Sequence, residues 1–548
     1  MVRVGLGQID ACVGDIAGNV ERMAAVYGEA AEVGAELVVF PELCVCGYPP
    51  EDLLLKRHFL EDVRRAVERF AQACAERTVI VGFAEMSDGG AFNSLAVLSG
   101  GEVVRVYRKC LLPNYGVFDE RRYFQAGGGG AVVDVKGAAV VLTICEDIWQ
   151  LERLERFLEP IAGKDLIVNI SASPFHMGKV TERQAVLGDC ARRFDCALAY
   201  CNLVGGQDEL VFDGRSMFLD SGGAVVGQAK AFAEDLLVAD ISRAHDGVRV
   251  CNVKAAAEYP DADSVDVTAD VYGALVLGTR DYVSKNGFSK VLVGLSGGID
   301  SSLTAAIAAD ALGAENVVGI TMPSKFNVPE TIADSEVLAK NLGIEFHSVP
   351  IESVVGRFDE ELGTVEGWRN NGVAYENLQA RIRGTILMSL SNQFGCLVLT
   401  TGNKSETAVG YSTLYGDTAG GFAVIKDVHK PMVYRLAEFV NRKAGREVIP
   451  ESVMARAPSA ELRQGQKDSD SLPDYELLAK ILTGYIEDDK SAKELAAEGL
   501  PEEVVKRVIR MVDANEYKRR QSPPGVRITP RAFGKDRRMP ITNRYRPE

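Results

Sequence analysis

The chain has 548 residues, 47% hydrophobic and 25% charged, with 77 acidic against 61 basic side chains and a formal net charge of −16. That length exceeds what one hydrophobic core organises, so two or more domains are expected. The acidic balance, unbroken by a long Lys/Arg block, argues against a nucleic-acid or anionic-membrane surface and leaves anionic ligands to local sites. In chain order, Met1–Gln8 reads as a first strand, followed by a strand at Leu37–Phe40 and a helix near Asp52–Arg77. Next come a strand at Thr78–Phe83 and a hairpin over Ser94–Lys109. Strands at Ala138–Cys145, Leu166–Ser171 and Ala197–Leu203, with helices near Leu151–Ile161 and Lys179–Phe194, make residues 1–245 an α/β layered domain.

Periodicity lapses into a charged stretch containing Tyr259-Pro260-Asp261-Ala262-Asp263, so 246–265 is expected to be a linker. Residues 266–548 read as a second α/β domain, with strands at Lys290–Leu295, Val317–Thr321 and Cys396–Thr401. From Ile449 onward the chain is rich in Pro, Arg and charge and is expected to wrap as loops and short helices. No apolar stretch has the length of a bilayer span and no secretory cleavage site follows the start, so a cytoplasmic protein is expected. Eleven cysteines form no Cys-x-x-Cys pair, which speaks against a zinc site or a disulfide framework.

The most specific motif is Leu295-Ser296-Gly297-Gly298-Ile299-Asp300-Ser301, a turn between a buried strand and a helix. Gly297 and Gly298 let backbone amides approach phosphate oxygens, the helix start favours anions, and Ser296 and Ser301 add hydroxyl donors. Asp300 has the chemistry to hold Mg²⁺ on a leaving pyrophosphate. No Gly-Lys-Ser/Thr follows, so the loop is not the one that handles γ-phosphoryl transfer. It resembles the loop of the ATP pyrophosphatases, which transfer AMP to an oxygen and release pyrophosphate.

In the N-terminal half, three segments each put a reactive group at or just after a strand end: Pro41-Glu42-Leu43, Arg108-Lys109-Cys110 and Ile144-Cys145-Glu146-Asp147. Singly they are weak signals, since a cysteine at a strand end is usually structural. Together they resemble the Glu-Lys-Cys triad of the nitrilase, or carbon-nitrogen hydrolase, superfamily. The resemblance implies an α-β-β-α sandwich in which Cys145 is the nucleophile, Glu42 the acid-base and Lys109 the cation near the oxyanion, with Glu120 a further glutamate beside them. It also implies that Tyr115, Ser171 and Lys179 bind L-glutamine. A Cys-His protease is the competing reading, with His176 the one histidine close behind the thiol. The four-glycine run at 127–130 reads as a flexible turn rather than an anion loop, because no helix pattern follows it.

In the C-terminal half, Asn377 to Arg383, Thr401 to Glu406, Tyr415-Gly416-Asp417 and Lys430 are similar to segments of the NAD synthetase family, in that family's order. The resemblance implies a doubly wound parallel sheet with Asp300 and Glu406 on Mg²⁺ and with Thr401 and Lys430 on ATP. It places Asn377, Arg381 and Asp417 on the deamido-NAD side. The fused arrangement, with Ala457–Leu462, Asp468–Pro473 and Gln521–Gly525, is similar to the glutamine-dependent form and implies a homo-oligomer. Two alternatives stay open: another ATP-pyrophosphatase amidotransferase of the GMP synthetase type, and a synthetase whose nitrilase-like half only senses glutamine. Met322–Asn327 departs from the family pattern, and the acidic run at 468–471 reads as a solvated turn without assigned chemistry.

Overall fold

The structure, a computed structural model, describes residues 1–545 apart from 88, 160, 162, 245–246 and 255–265. It divides into two compact units, Met1–Val265 and Asp266–Glu548. Among the described residues no helix is long and apolar enough to cross a membrane.

Among the described residues the first unit holds a two-stranded sheet, Val204–Gln207 with Leu210–Asp213, and two large ones. One runs in the order Gly247–Lys254, Asp235–Ala244, Val2–Gln8, Leu37–Val39, Thr78–Ser87, Gly90–Ser99 and Glu102–Arg108. The other runs Val225–Gln228, Met217–Leu219, Ala197–Asn202, Leu166–Ser171, Ala138–Ile144 and Ala131–Val135. Strand alternation explains the layering. Val4, Leu6, Leu37, Val39 and Ile80 share an apolar cluster with Leu142, Ile144, Val168 and Ile170, which is the core between the sheets. The opposite face of the first sheet, with Val38, Val79 and Val81, packs on helices Ile16–Glu32 and Arg57–Ala73 through Met23, Val63 and Phe70. Val141, Ile167 and Leu198 pack on helices Leu151–Leu158 and Lys179–Phe194 through Leu154, Leu158 and Leu187. The expected α-β-β-α sandwich follows.

Three expectations differ in detail. The helix near Asp52–Arg77 is broken at Lys56, a short 3₁₀ turn at Glu51–Leu55 preceding Arg57–Ala73. The stretch expected as a linker from 246 opens with a strand, Gly247–Lys254, which pairs antiparallel with Asp235–Ala244 because buried Val248 and partly buried Val250 join the inter-sheet core. Tyr259–Asp263 lies outside the described residues. The glycine run is tightly packed at its first member: Gly127 N–H donates to Lys109 O at 2.8 Å, and a Cβ there would stand 2.1 Å from Arg108 O. Close approach to the lysine strand, rather than flexibility, calls for glycine.

The second unit is built on a five-stranded, all-parallel sheet in the order Glu345–Ser348, Val317–Thr321, Val291–Gly294, Leu397–Thr400 and Phe422–Ala423. Chain order reverses between Val291–Gly294 and Leu397–Thr400, and ligands of doubly wound sheets bind where such a reversal opens a crevice at the carboxyl ends. The C-terminal part, expected as loops and short helices, also has a core. Helices Tyr475–Leu482 and Glu502–Ala514 bury Leu478, Ile481, Val505, Val508 and Val512 in a core of their own, and Ala408 and Val409 join it.

Candidate functional site

In the first unit, Glu42, Lys109 and Cys145 follow the ends of three different strands: Leu37–Val39, Glu102–Arg108 and Ala138–Ile144. Lys109 Nζ is buried and donates to Glu42 Oε1 at 2.7 Å and to Glu120 Oε1 at 2.8 Å. Glu42 is held further by Asn93 Nδ2 at 2.7 Å and by the Ala172 amide at 2.8 Å. Tyr48 Oη donates to Glu120 Oε1 at 3.0 Å. Burial works against the Lys109 ammonium, but Glu120 and Glu42 outweigh it and hold its pKa well above the ordinary lysine value. Burial raises the Glu120 carboxyl to about 7, with Lys109 opposing and Glu42 reinforcing the rise.

Cys145 opens a 3₁₀ turn with φ +41°, a left-handed conformation that a β-carbon disfavours and that points to a functional constraint. Its thiol is pushed well above the usual range by burial and by Glu42, Glu146 and Glu120, with Lys109 opposing. The resting nucleophile is therefore a thiol that needs a base, and Glu42 is the carboxylate that raises it most. Nine of the eleven cysteines are buried, so burial alone does not single out Cys145; its φ and its Glu-Lys-Glu surroundings do.

The residues implied for glutamine differ in availability. Tyr115 is 57% exposed and donates to Glu146 Oε2 at 2.9 Å. Lys179 starts a helix, its Nζ 3.7 Å from the Trp149 ring centroid and 3.1 Å from Glu182, with burial lowering its pKa. Both sense charge on Cys145. Ser171 is fully buried and its hydroxyl is spent on Asn169 Oδ1 at 2.8 Å, inside the strand. Ser173, whose hydroxyl among the described residues accepts only a long 3.5 Å bond from Arg183 Nη2, has hydrogen-bonding capacity left over. His176 bonds Met177 O at 2.8 Å and stands 3.7 Å from Glu182, while the groups that weigh most on the Cys145 thiol are carboxylates and Lys109 rather than an imidazole.

Sequence reasoning quoted Asp147 without giving it a role. Its Oδ1 accepts the amides of Cys110 at 3.0 Å and Leu111 at 2.9 Å, while Oδ2 accepts Ile144 N–H at 2.9 Å and Tyr107 Oη at 2.8 Å. One carboxylate thus ties the chain after Lys109 to the residue before Cys145. Burial raises its pKa to about 6, against the hydrogen bonds from Ile144, Tyr107 and Leu111.

In the second unit, Ser296–Ser301 and Thr401–Glu406 meet at the reversal point and line a cavity of about 320 Å³ together with Asp417 and Lys430. Gly297 has φ +76° and a Cβ there would lie 2.1 Å from Thr331 O, so both conformation and close packing require glycine. Ser301 Oγ donates to Gly298 O at 2.9 Å and sits 3.2 Å from Ser296 Oγ, which shapes the turn from within. Asp300 receives Asn403 Nδ2 at 2.9 Å and pairs with Lys430, whose Nζ is also 3.7 Å from Glu406 Oε1. Burial, then Asp300, raise the Glu406 carboxyl to about 8, partly offset by Lys430. Asn403, unassigned from sequence, also forms a capping box with Glu406 that fixes the start of helix Lys404–Val409.

Asn377 and Arg381 do not line this cavity. Asn377 Oδ1 accepts Thr413 Oγ1 at 2.7 Å, Arg381 Nε donates to Leu414 O at 3.2 Å, and Asp417 receives the Thr413 amide at 2.9 Å. All three converge on the turn at 413–417, which joins them to the cavity through Asp417. The departing segment at 322–327 does reach the cavity, with Asn327 bonded to Glu461 Oε2 at 2.8 Å and to Arg383 Nη2 at 3.2 Å.

Residues 3–245 match the carbon-nitrogen hydrolase family model and residues 271–522 the NAD synthase model. Across 100% of this chain, the sequence is 47% identical to the glutamine-dependent NAD(+) synthetase of Thermotoga maritima and 46% to that of Aquifex aeolicus, covering 99% and 100% of those proteins. The structure of the glutamine-dependent NAD+ synthetase from Acinetobacter baumannii in complex with ADP matches at 40% identity and a TM-score of 0.78, over 99% of this chain and 98% of that one. The enzyme from Cytophaga hutchinsonii, 23% identical, has the same fold at a TM-score of 0.83. With its two catalytic-type units in one chain and this identity over its full length, the protein belongs to the glutamine-dependent NAD(+) synthetase family.

Proposed function

We propose that the chain makes NAD by amidating deamido-NAD with nitrogen taken from L-glutamine, at the expense of ATP. The observation that carries this reading is the pairing, in one polypeptide, of a buried Glu42–Lys109–Glu120 cluster beside Cys145 with an anion-binding turn at 296–301 facing Glu406 and Lys430. In the first unit Glu42 takes the Cys145 proton, the thiolate attacks the amide carbon, and Lys109 favours the oxyanion. Glu42 returns the proton to departing ammonia and then activates the water that hydrolyses the thioester. Tyr115 and Lys179, with Ser173 in the place expected for Ser171, are positioned to hold glutamine. A purely sensory first unit would not need an acid-base carboxylate tied to a buried lysine.

In the second unit the amides of the 296–301 turn and the hydroxyls of Ser296 and Ser301 bind the ATP phosphates, with Thr401 and Lys430 beside them; the relative solved with ADP is itself a nucleotide-binding protein. The nicotinate carboxylate of deamido-NAD, held near Asn377, Arg381 and Asp417, takes AMP, and ammonia displaces it. The donor set fits Mg²⁺: Asp300 and Glu406 are hard oxygen ligands brought together around one ammonium, that of Lys430. When bound, the ion screens the negative charge of the departing pyrophosphate. We read the protein as a cytoplasmic homo-oligomer.

The test is Cys145→Ala assayed with both nitrogen sources. Glutamine-supported NAD synthesis falls by several orders of magnitude, while ammonium-supported synthesis stays near wild type. Glutamine-supported synthesis at a comparable rate in the variant would remove the thiol from the mechanism, and ADP with phosphate instead of AMP with pyrophosphate would remove adenylation.

A further inference from the structure

The two aspartates of the Asp468-Ser469-Asp470 turn have different surroundings. Asp470 is exposed and bonds Arg463 Nη2 at 2.7 Å. Asp468 is only 5% exposed and lines the same cavity as Asp300, Glu406 and Lys430. Tyr475 Oη donates to Asp468 Oδ2 at 2.7 Å, while Oδ1 is buried with no hydrogen-bond partner among the described residues. A buried carboxylate oxygen without a donor is costly and rare, and in a ligand cavity it marks a place where a donor arrives with the ligand. The Asp468 charge reaches the metal-type carboxylates, since it helps raise the Glu406 pKa after burial and Asp300. Tyr434, on the same cavity wall, feels it as well, and the Tyr411 hydroxyl reaches the Asp468 carboxylate as a second donor beside Tyr475, with Oδ1 still left unpaired.

Asp300 and Glu406 both pair with the Lys430 ammonium, and Asp468 lines the same cavity. Among the described residues no three acidic, histidine or cysteine groups stand close enough together to grip a cation directly. Asp468 therefore does not complete a direct three-carboxylate ligand set with Asp300 and Glu406. Water is what a small divalent cation retains on binding, because it dehydrates reluctantly.

We propose that Asp468 is a positioning residue for the divalent cation of the synthetase unit: its free Oδ1 accepts a hydrogen bond from a water on the cation held by Asp300 and Glu406, while Tyr475 fixes its other oxygen. This rests on the metal reading above and extends it to the acidic turn. Residues outside the ligand pair orient metal-bound groups in this way in many sites, and removing them typically weakens metal affinity by ten- to a hundred-fold. The adjoining chain already borders the phosphate turn, with Arg456 Nη1 on Gly297 O at 3.2 Å and Glu461 Oε2 accepting Thr331 Oγ1 at 3.0 Å. Cation binding would accordingly hold the 456–470 segment over the nucleotide.

The experiment uses full-length protein with Mn²⁺ replacing Mg²⁺ and ATP present without deamido-NAD. Water-proton relaxation enhancement, a readout of metal-bound water that needs no turnover, gives the dissociation constant of Mn·ATP. Asp468→Asn is expected to raise that constant about tenfold and to lower the enhancement, and Tyr475→Phe to raise it about threefold with the charge intact. Asp470→Asn stays within about twofold of wild type. Asp300→Asn, the control for the underlying reading, loses the enhanced complex. If Asp300→Asn loses it while both Asp468→Asn and Tyr475→Phe match wild type, the role given to Asp468 is overturned. If Asp300→Asn keeps it, the metal reading itself fails. Should Asp468→Asn not fold, wild-type behaviour of Tyr475→Phe alone overturns the proposal.

Discussion

Glu42 and Glu120 share one ammonium, and the consequence for Glu120 is a proton held to higher pH than in the unfolded chain. Its folded-state pKa is about 7, against an ordinary glutamate value, and burial is the largest cause. Between pH 4.5 and 7 the native protein therefore carries a proton that the unfolded chain has lost, so stability from this group is fully present below about 4.5 and drains away as pH rises toward 7. Glu120→Gln removes that dependence while keeping an oxygen for Lys109 and Tyr48. The melting temperature of the variant relative to wild type should rise between pH 5 and pH 7; a difference that stays flat would mean that Glu120 is ionised in the native state throughout. Glutamine turnover in the variant should fall above pH 7, where Glu120 is ionised and Lys109 loses one of its two carboxylate partners. Residue by residue, most of this cluster was legible in the sequence, because each member ends a recognisable strand. Ser171 was not: strand pattern alone does not tell a serine facing a cavity from one whose hydroxyl is consumed by Asn169.

At the scale of elements, the first unit's candidate active site is a junction of three strand ends, and Asp147 is the tie between two of them. Asp147→Asn keeps an acceptor for the Cys110 and Leu111 amides but turns an NH₂ group toward the Ile144 N–H, leaving buried donors unpaired. Such a loss costs about 2 kcal/mol. We expect a lower unfolding temperature, glutamine-dependent synthesis reduced about a hundredfold through misplacement of Cys145 against Lys109, and ammonium-dependent synthesis unchanged. Equal loss with both nitrogen sources would show that the tie supports more than the glutaminase. In the second unit the comparable device is the capping box of Asn403 and Glu406, which orients a carboxylate by the same hydrogen bonds that begin its helix.

For the whole molecule, the reason to join a glutaminase to a synthetase is that ammonia in water at neutral pH is mostly protonated and a poor nucleophile. Protected transfer predicts that ¹⁵N from the glutamine amide is retained nearly in full in the nicotinamide of NAD, even with excess unlabelled ammonium at a pH where ammonium alone supports little synthesis. Mass spectrometry of the product decides it, and dilution to the bulk isotope ratio would show release to solvent.

The sequence by itself determined the alternation of strands and helices, the two-domain division, the Ser296–Ser301 turn and the Glu42, Lys109 and Cys145 positions, because periodicity, glycine turns and strand ends are properties of neighbouring residues. Tertiary structure alone decided that Gly247–Lys254 adds a strand where a linker was expected, since pairing with Asp235–Ala244 depends on an edge that the rest of the sheet provides. It alone separated Asp468 from Asp470, two aspartates in one polar turn, by burying the first against Tyr475 and leaving the second to solvent. It gave Asp147 its role for the same reason. A carboxylate's partners are chosen by whichever distant backbone the fold brings to it, and no local pattern encodes that choice.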